Sequence, residues 1–350
     1  MLALLIICCV GPPVIDAQAS EIIEIVALNE LLYISLSGEL REDYVHSGAS
    51  GLPHMTARSS KTTTFDTENE RQRVETRQSS TREDGNPAGH SKEYVFDGKD
   101  AARLYVGGHH TLYQEGEPSL VDRDVFRPHM ALFKLDMQPL QLSEWLSGIE
   151  YTRGGYEVVG IDSVLTVTYG GKSKVDDWDC EQIVVGIGKK SPPKSRYVLD
   201  LAVDHNLLPV QVLFFSDKYS RDLPVTISKV EELKVAKPNV SVPMKLVTTQ
   251  YNKSDLMKGE QVVRWVSTKT VERIAVDPPI DDSIFQMPEP PIGAIAQSVN
   301  NGQATSTGVV GDRPRREVQG RRPTNRTPWI LGLTAASVVV VVILLRRGRS

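Results

Sequence analysis

Cysteine is nearly absent from this 350-residue chain. It holds three, and two of them, Cys8 and Cys9, fall in the first ten residues. If that segment is removed on export, Cys180 stands alone and no intramolecular disulfide can form. Small animal receptor ectodomains usually depend on such bridges. A disulfide-free exported domain must be held by its own core, which suits a bacterial periplasm. A zinc site built on cysteines is excluded for the same reason. Also missing are a Gly-rich phosphate loop, a nucleophile elbow and a His-Glu-x-x-His helix. No acid–base or nucleophile set stands out, so an enzyme is not expected, and no cofactor is implied. Acids outnumber bases over most of the length. Residues 313–350 hold nine arginines and one acid and carry +8, whereas residues 1–312 carry −12 of a total of −4. An acidic body argues against nucleic-acid binding. Arg313 to Arg326 has two readings: it lies on anionic head groups, or it is a solvated linker kept extended by its charge.

What is present begins at the two ends. Leu2 to Val10 is an apolar run too short to span a membrane, broken by Gly11-Pro12-Pro13. Ala17-Gln18-Ala19 offers the small-x-small pattern of a signal peptidase site, so residues 1–19 read as a signal peptide cut before Ser20. Its first residues lack Lys and Arg. Cys8 and Cys9 suggest a lipoprotein signal, but Ile7 stands where that motif wants a small residue. Near the other end, Trp329 to Leu345 has no charge and no proline, and Arg346, Arg347 and Arg349 follow. At about 1.5 Å per residue this is a sufficient bilayer span, and the arginines mark its cytoplasmic end. The expected organisation is a β-domain over 20–292, a disordered Arg-rich linker over 293–327, a transmembrane helix over 328–345 and a cytoplasmic tail over 346–350. The protein is then a single-pass protein of the cell membrane with its N-terminus outside. The alternative for the span is a C-terminal sorting signal that is cut off after export. The only Pro-Glu-Pro, Pro288-Glu289-Pro290, lies well before the span, where such a signal would carry its motif directly ahead of it.

Between the ends the periodicity is mostly that of strands. Ile22, Ile25, Val26, Leu28, Leu31 and Leu32 have near-helical spacing, with Ser20 as N-cap and Glu21 and Glu24 in the first turn. This predicts a helix over 21–32 that runs into a strand near Tyr33–Leu40. Gly48 to Gly89 is polar, with exposed strands at Lys61–Asp66 and Gln72–Arg77 and a turn at Asp84-Gly85-Asn86-Pro87. Glu93–Phe96 and Ala102–Val106 read as a hairpin around Asp97-Gly98. A second helix is predicted over 139–148, with Pro139 at its start and Gly148 at its end. From Tyr156 to Val276 strand follows strand, with alternation through Tyr197, Leu199, Leu201 and Val203, then Leu208, Val210, Val212 and Phe214. Such runs imply an antiparallel meander with one apolar face that must be covered. The two helices are the available covers, and Phe285 plugs the core edge. The fold class is mainly β (α+β): an unclosed antiparallel barrel or curved sheet lidded by one or two short helices, plus the C-terminal transmembrane helix.

Two segments carry a family resemblance. Asp204-His205-Asn206-Leu207-Leu208-Pro209-Val210 lies between two central strands. Val276-Asp277-Pro278-Pro279-Ile280-Asp281-Asp282-Ser283-Ile284-Phe285-Gln286 closes the meander. Together they resemble the bacterial lipoprotein-carrier superfamily (LolA/LolB-like), over roughly residues 20–292. The resemblance implies an unclosed antiparallel β-barrel whose helices lid an apolar cavity for acyl chains or other lipid-like groups. The C-terminal span departs from the free or lipid-anchored carriers, so tethered binding or sensing is implied in place of ferrying.

Candidate ligand-cavity residues are Trp145, Leu199, Leu201, Val210, Val212 and Phe214; for Trp145 the competing role is core packing. His109-His110 makes a poor chelate, because neighbours on a strand point to opposite faces. Asp176-Asp177-Trp178-Asp179 is a calcium site or a solvated turn, and its spacing lacks the alternation and glycine of a calcium loop. No metal site is expected. Two functions remain. One is a binding module for a lipid-like group or lipoprotein acyl chain. The other is a structural or sensing ectodomain with a packed core, which presents its surface to an unidentified protein partner.

Overall fold

The computed structural model describes residues 14–47, 55–69, 71–81, 87–107, 110–116, 126–133, 141–148, 152–153, 156–157, 165–188, 193–300 and 303–310. The chain divides into two units, Met1–Val310 and Gly311–Ser350, and all the described residues belong to the first. The predicted span Trp329–Leu345, the His109 position and the start of the predicted second helix at Pro139 lie outside the described residues. Among the described residues no helix is long and apolar enough to cross a membrane.

The expected meander is present. Strands β10 (Leu165–Val175), β11 (Trp178–Ile187), β12 (Ser195–Ala202), β13 (Leu208–Ser216), β14 (Thr226–Lys237), β15 (Val240–Tyr251) and β16 (Val263–Val276) pair antiparallel in chain order. Strand β2 (Ser35–His46) then pairs with β16 and joins the N-terminal strands to the same sheet. Beyond it lie β3 (Met55–Asp66), β4 (Arg71–Thr81), β5 (Pro87–Phe96), β6 (Ala101–Gly107) and β7 (His110–Gly116). The result is one open sixteen-stranded sheet. Its edges are β1 (Val14–Ile15), parallel to β10, and β18 (Gln303–Val309). A separate two-stranded pair, β8 (Thr152–Arg153) and β9 (Tyr156–Glu157), stands apart from it.

The predicted hairpin is β5–β6. The Asp97 carboxylate accepts from the Lys99 and Asp100 amides, and Gly98 takes the left-handed conformation that the turn requires. The two polar strands exist as β3 and β4 but run longer than expected. Ile295–Asn300 (β17) and Gln303–Val309 form a hairpin on β7, where the sequence reading has linker from 293. Gln, Ser, Thr and Asn interrupt both strands, so no apolar period announces them.

Helix α1 runs over Ala17–Glu30, four residues earlier than predicted. Its cap is Asp16 and not Ser20: Asp16 Oδ1 accepts from Ala19 N at 2.7 Å, and Oδ2 accepts from Tyr169 N at 2.7 Å. The expected cleavage before Ser20 falls inside this helix. Ala19, Ile22, Ile23 and Val26 are its buried face. Ile22 and Val26 belong to the predicted stripe, whereas Ile25, Leu28, Leu31 and Leu32 are exposed against it. Helix α2 is Leu142–Leu146, shorter than predicted. Gln141 and Glu144 form a capping box, and Gly148 ends it with a left-handed backbone.

These helices cover the sheet over β10–β16 and β2. The main core joins α1 and α2 to Ile183, Leu199, Leu201, Val210, Val212, Val230, Val242 and Leu246 from that part. Asp200 lies on the opposite face. Its carboxylate accepts from Ser173 Oγ, Gln182 Nε2 and Gln211 Nε2 at 2.6–3.1 Å, which satisfies a buried charge across four strands. Phe285 is buried at the far side, under the Arg71 guanidinium at 4.6 Å, as the closing segment predicts.

Candidate functional site

The turn between β12 and β13 anchors two of the side chains that line the site. Val203–His205 is a short 3-10 turn, and Asn206 and Leu207 follow with φ of 58° and 50°. Asparagine tolerates this left-handed conformation better than most residues. Its side chain then staples the neighbouring β14–β15 turn. Asn206 Oδ1 accepts from Ser241 N at 2.9 Å, and Asn206 Nδ2 donates to the Asn239 carbonyl. The His205 ring contacts the Ser241 hydroxyl at 3.0 Å.

Two distant aromatic side chains lock onto this staple. Tyr33, just after α1, donates its hydroxyl to the Ser241 carbonyl at 2.5 Å. His129, in the 3-10 turn Pro128–Met130, lies 2.9 Å from the Asn206 carbonyl through Nε2. A carbonyl only accepts, so Nε2 carries the proton. Tyr33 and His129 meet edge to face at 5.7 Å. Burial pushes the His129 imidazole down to about 4, so the ring is neutral near pH 7. Burial also pushes the Tyr33 phenol well above its usual value.

Glu30 ties the end of α1 to α2. Its carboxylate accepts from Leu142 N at 2.6 Å, Ser143 N at 3.3 Å and Ser143 Oγ at 2.5 Å. Burial raises its pKa, opposed by those bonds and by the charge of Arg127. Between these groups lies a cavity of about 310 Å³. Leu31, Ile34, Phe65, Pro128 and the Tyr33 and His129 rings contribute its apolar lining, and Glu30, Thr67, Glu68, Arg127 and Gln141 its polar margin. Because Tyr33 and His129 spend these hydrogen bonds on backbone carbonyls, they offer the cavity ring surface more than donors. A small, mostly apolar hollow with a few convergent polar groups suits an amphiphile. A second, more polar cavity of about 600 Å³ lies along α1 between Glu21 and Asp204.

The residues expected from the sequence do come together. Leu199, Leu201, Val210 and Val212 are buried in the main core. Trp145 packs edge-on against Tyr197 at 5.4 Å and against Phe133 at 5.3 Å. Phe214, half-buried, stacks on Tyr197 at 4.7 Å. None of the six lines either of the two cavities described. Cys180 is buried, and its thiol is pushed up to about 11 by burial and by Asp200. Asp176 sits in the β10–β11 turn with φ of 50°, ion-paired to Lys229 at 2.7 Å. Among the described residues no group of three or more potential ligands is placed to hold a metal. The site residues that sequence reasoning missed are Glu30, Tyr33, Arg127 and His129. Each is a single polar residue without a partner in a motif, and only the fold brings them together.

No protein-family model matches the chain, and no curated protein matches it. Among solved structures it is similar to a DUF1329 family protein from Desulfovibrio piger, with 10% identity and a TM-score of 0.41, over 77% of this chain and 98% of that one. It is similar to a putative outer membrane lipoprotein-sorting protein domain from Vibrio parahaemolyticus, with 9% identity and a TM-score of 0.42, over 76% and 97%. A beta-barrel-like protein of a domain of unknown function (DUF1849) from Brucella abortus matches with 8% identity and a TM-score of 0.25, over 69% and 98%.

Proposed function

We propose that this protein is a membrane-tethered, extracytoplasmic binding module that holds a lipid-like or acyl ligand without transforming it. The observation that carries the reading is the cavity at the end of α1, with aliphatic and aromatic walls and a charged margin. Its lining does not include the residues expected on the sheet: Trp145, Leu199, Leu201, Val210 and Val212 pack in the main core, and Phe214 lies outside both cavities. The tether in this reading is Trp329–Leu345, with residues 346–350 in the cytoplasm.

The test uses the unit that ends at Val310, expressed from Val14 and checked for folding by circular dichroism. Organic extraction followed by mass spectrometry is expected to recover an amphiphile. A fluorescent fatty acid is expected to bind saturably, and Ile34→Glu to weaken it by about tenfold, the scale of placing a charge in an apolar site. A folded unit that yields no lipid and binds no fatty acid would refute the reading. The second function, a packed ectodomain that presents a surface to a protein partner, has one observation in its favour: the core face of β10–β15 is filled by α1 and α2. Failure of fatty-acid binding together with recovery of a stable protein partner would favour it.

A further inference from the structure

The outer side of the C-terminal half of α1 and the turn that follows it are apolar where the core does not require it. Ile25, Leu28, Leu31, Leu32 and Ile34 are 48%, 66%, 64%, 37% and 50% exposed. Ile25 and Leu28 lie about one turn apart, on the side turned away from Ile23 and Val26. Leu31 and Ile34 belong at once to this patch and to the lining of the cavity. Single exposed aliphatic residues are ordinary, but five within ten residues beside a cavity mark an interaction surface.

The chemistry of the patch selects its partner. All five side chains are aliphatic. The patch has no tryptophan, tyrosine or arginine, the residues that dominate protein–protein anchors. It presents no side-chain donor or acceptor of its own. The first half of the same helix is acidic outside, with Glu21 and Glu24 exposed, and no Lys or Arg occurs before Arg41. An anionic surface is therefore repelled. We infer that the C-terminal half of α1 rests its outer face on an electrically neutral lipid surface, and that the ligand enters the cavity from that surface past Leu31 and Ile34. The inference rests on the binding reading above. It explains why the mouth is aliphatic: an acyl group passing from lipid to cavity keeps its apolar surface out of water. A tethered domain needs only a weak contact of this kind, because the anchor holds it close.

The experiment uses the full chain reconstituted in phosphatidylcholine vesicles, with Cys8 and Cys9 changed to serine and buried Cys180 retained. A fluorophore is attached through Leu28→Cys or, as a control on the equally accessible β14, through Val235→Cys, where the native valine is 60% exposed. Nitroxide-labelled phosphatidylcholine is expected to quench the label at position 28 and to spare the label at 235. Replacing part of the lipid with phosphatidylglycerol is expected to reduce the quenching. Leu28→Glu with Leu32→Glu, neither of which lines the cavity, is expected to slow transfer of a fluorescent fatty acid from donor vesicles by about tenfold. Equilibrium binding of the same fatty acid is expected to stay unchanged. Equal quenching at 28 and 235, stronger quenching with phosphatidylglycerol, or transfer at the wild-type rate in the double variant would each overturn the inference. Quenching at 28 in a protein that binds no fatty acid would refute the cavity reading alone. Fatty-acid binding without quenching would refute the docking surface alone.

Discussion

Two parts of one sheet use opposite solutions to the same problem. Over β10–β15 the core face is Leu, Ile and Val, and α1 and α2 cover it. Over β3–β4 the strands are eleven or twelve residues long, but burial is concentrated at one end, around Thr63–Asp66 and Gln72–Val74. Away from that end, Thr, Ser, Arg and Glu predominate. There Arg58 pairs with Asp43 at 2.6 Å. At the buried end, Arg71 joins Asp66 and Asp282 at 2.7 and 2.6 Å and covers Phe285. The apolar part is held by area removed from water. The polar part is held by its backbone ladder and by a few ion pairs that matter only where they are shielded. Strand pairing alone extends a sheet; both cavities described border α1.

The contrast can be broken first by core truncation. Leu201→Ala is expected to cost about 2–5 kcal/mol in urea unfolding, whereas Thr62→Ala on exposed β3 should cost under about 0.5 kcal/mol. Equal costs would erase the distinction between the two parts. The next effect concerns His129. Its folded value of about 4 lies below the ordinary 6.5, so the unfolded chain binds more protons between these limits. Stability is therefore lost as pH falls from 6.5 toward 4, by about 3 kcal/mol in all. His129→Gln should remove that slope, and a variant that keeps it would place the titrating group elsewhere. The smallest effects sharpen the polar side. Arg71→Met leaves Asp66 without its main partner and is expected to cost about 2 kcal/mol. Arg58→Ala, at a pair that is mostly exposed, should cost about 0.5 kcal/mol or less. Thermal unfolding of the two variants side by side measures the difference.

Legibility in the sequence followed burial. The β12–β13 alternation was readable because one face is apolar and the other is not, and Asp204–Asn206 punctuates it. The β5–β6 hairpin was readable from Asp97-Gly98. The β17–β18 hairpin was not, because an edge hairpin with polar side chains leaves no period to count. For α1 the sequence marked the helix but only part of its inner face. Both sides of α1 carry aliphatic residues: Ile22 and Val26 are buried as their spacing predicts, but the choice of Ile23 over Ile25 and Leu28 is made by the sheet beneath. The cavity was illegible for a related reason. Glu30, Tyr33, Arg127, His129 and Ser241 meet through contacts of long sequence separation, and no local pattern encodes them.

The sequence by itself determined a mainly β domain, its central meander and its closing Asp-Pro-Pro segment. These follow from periodicity, turn chemistry and composition, which are local. Only the tertiary structure decided that β2 joins β16, that the sheet continues to Val309, and that Trp145 and its neighbours fill the core. It also decided that an apolar cavity lies at the end of α1, under Tyr33 and His129. The physical reason is that a cavity is what remains after all helices and strands have packed, and no single stretch of chain specifies what the others leave unfilled.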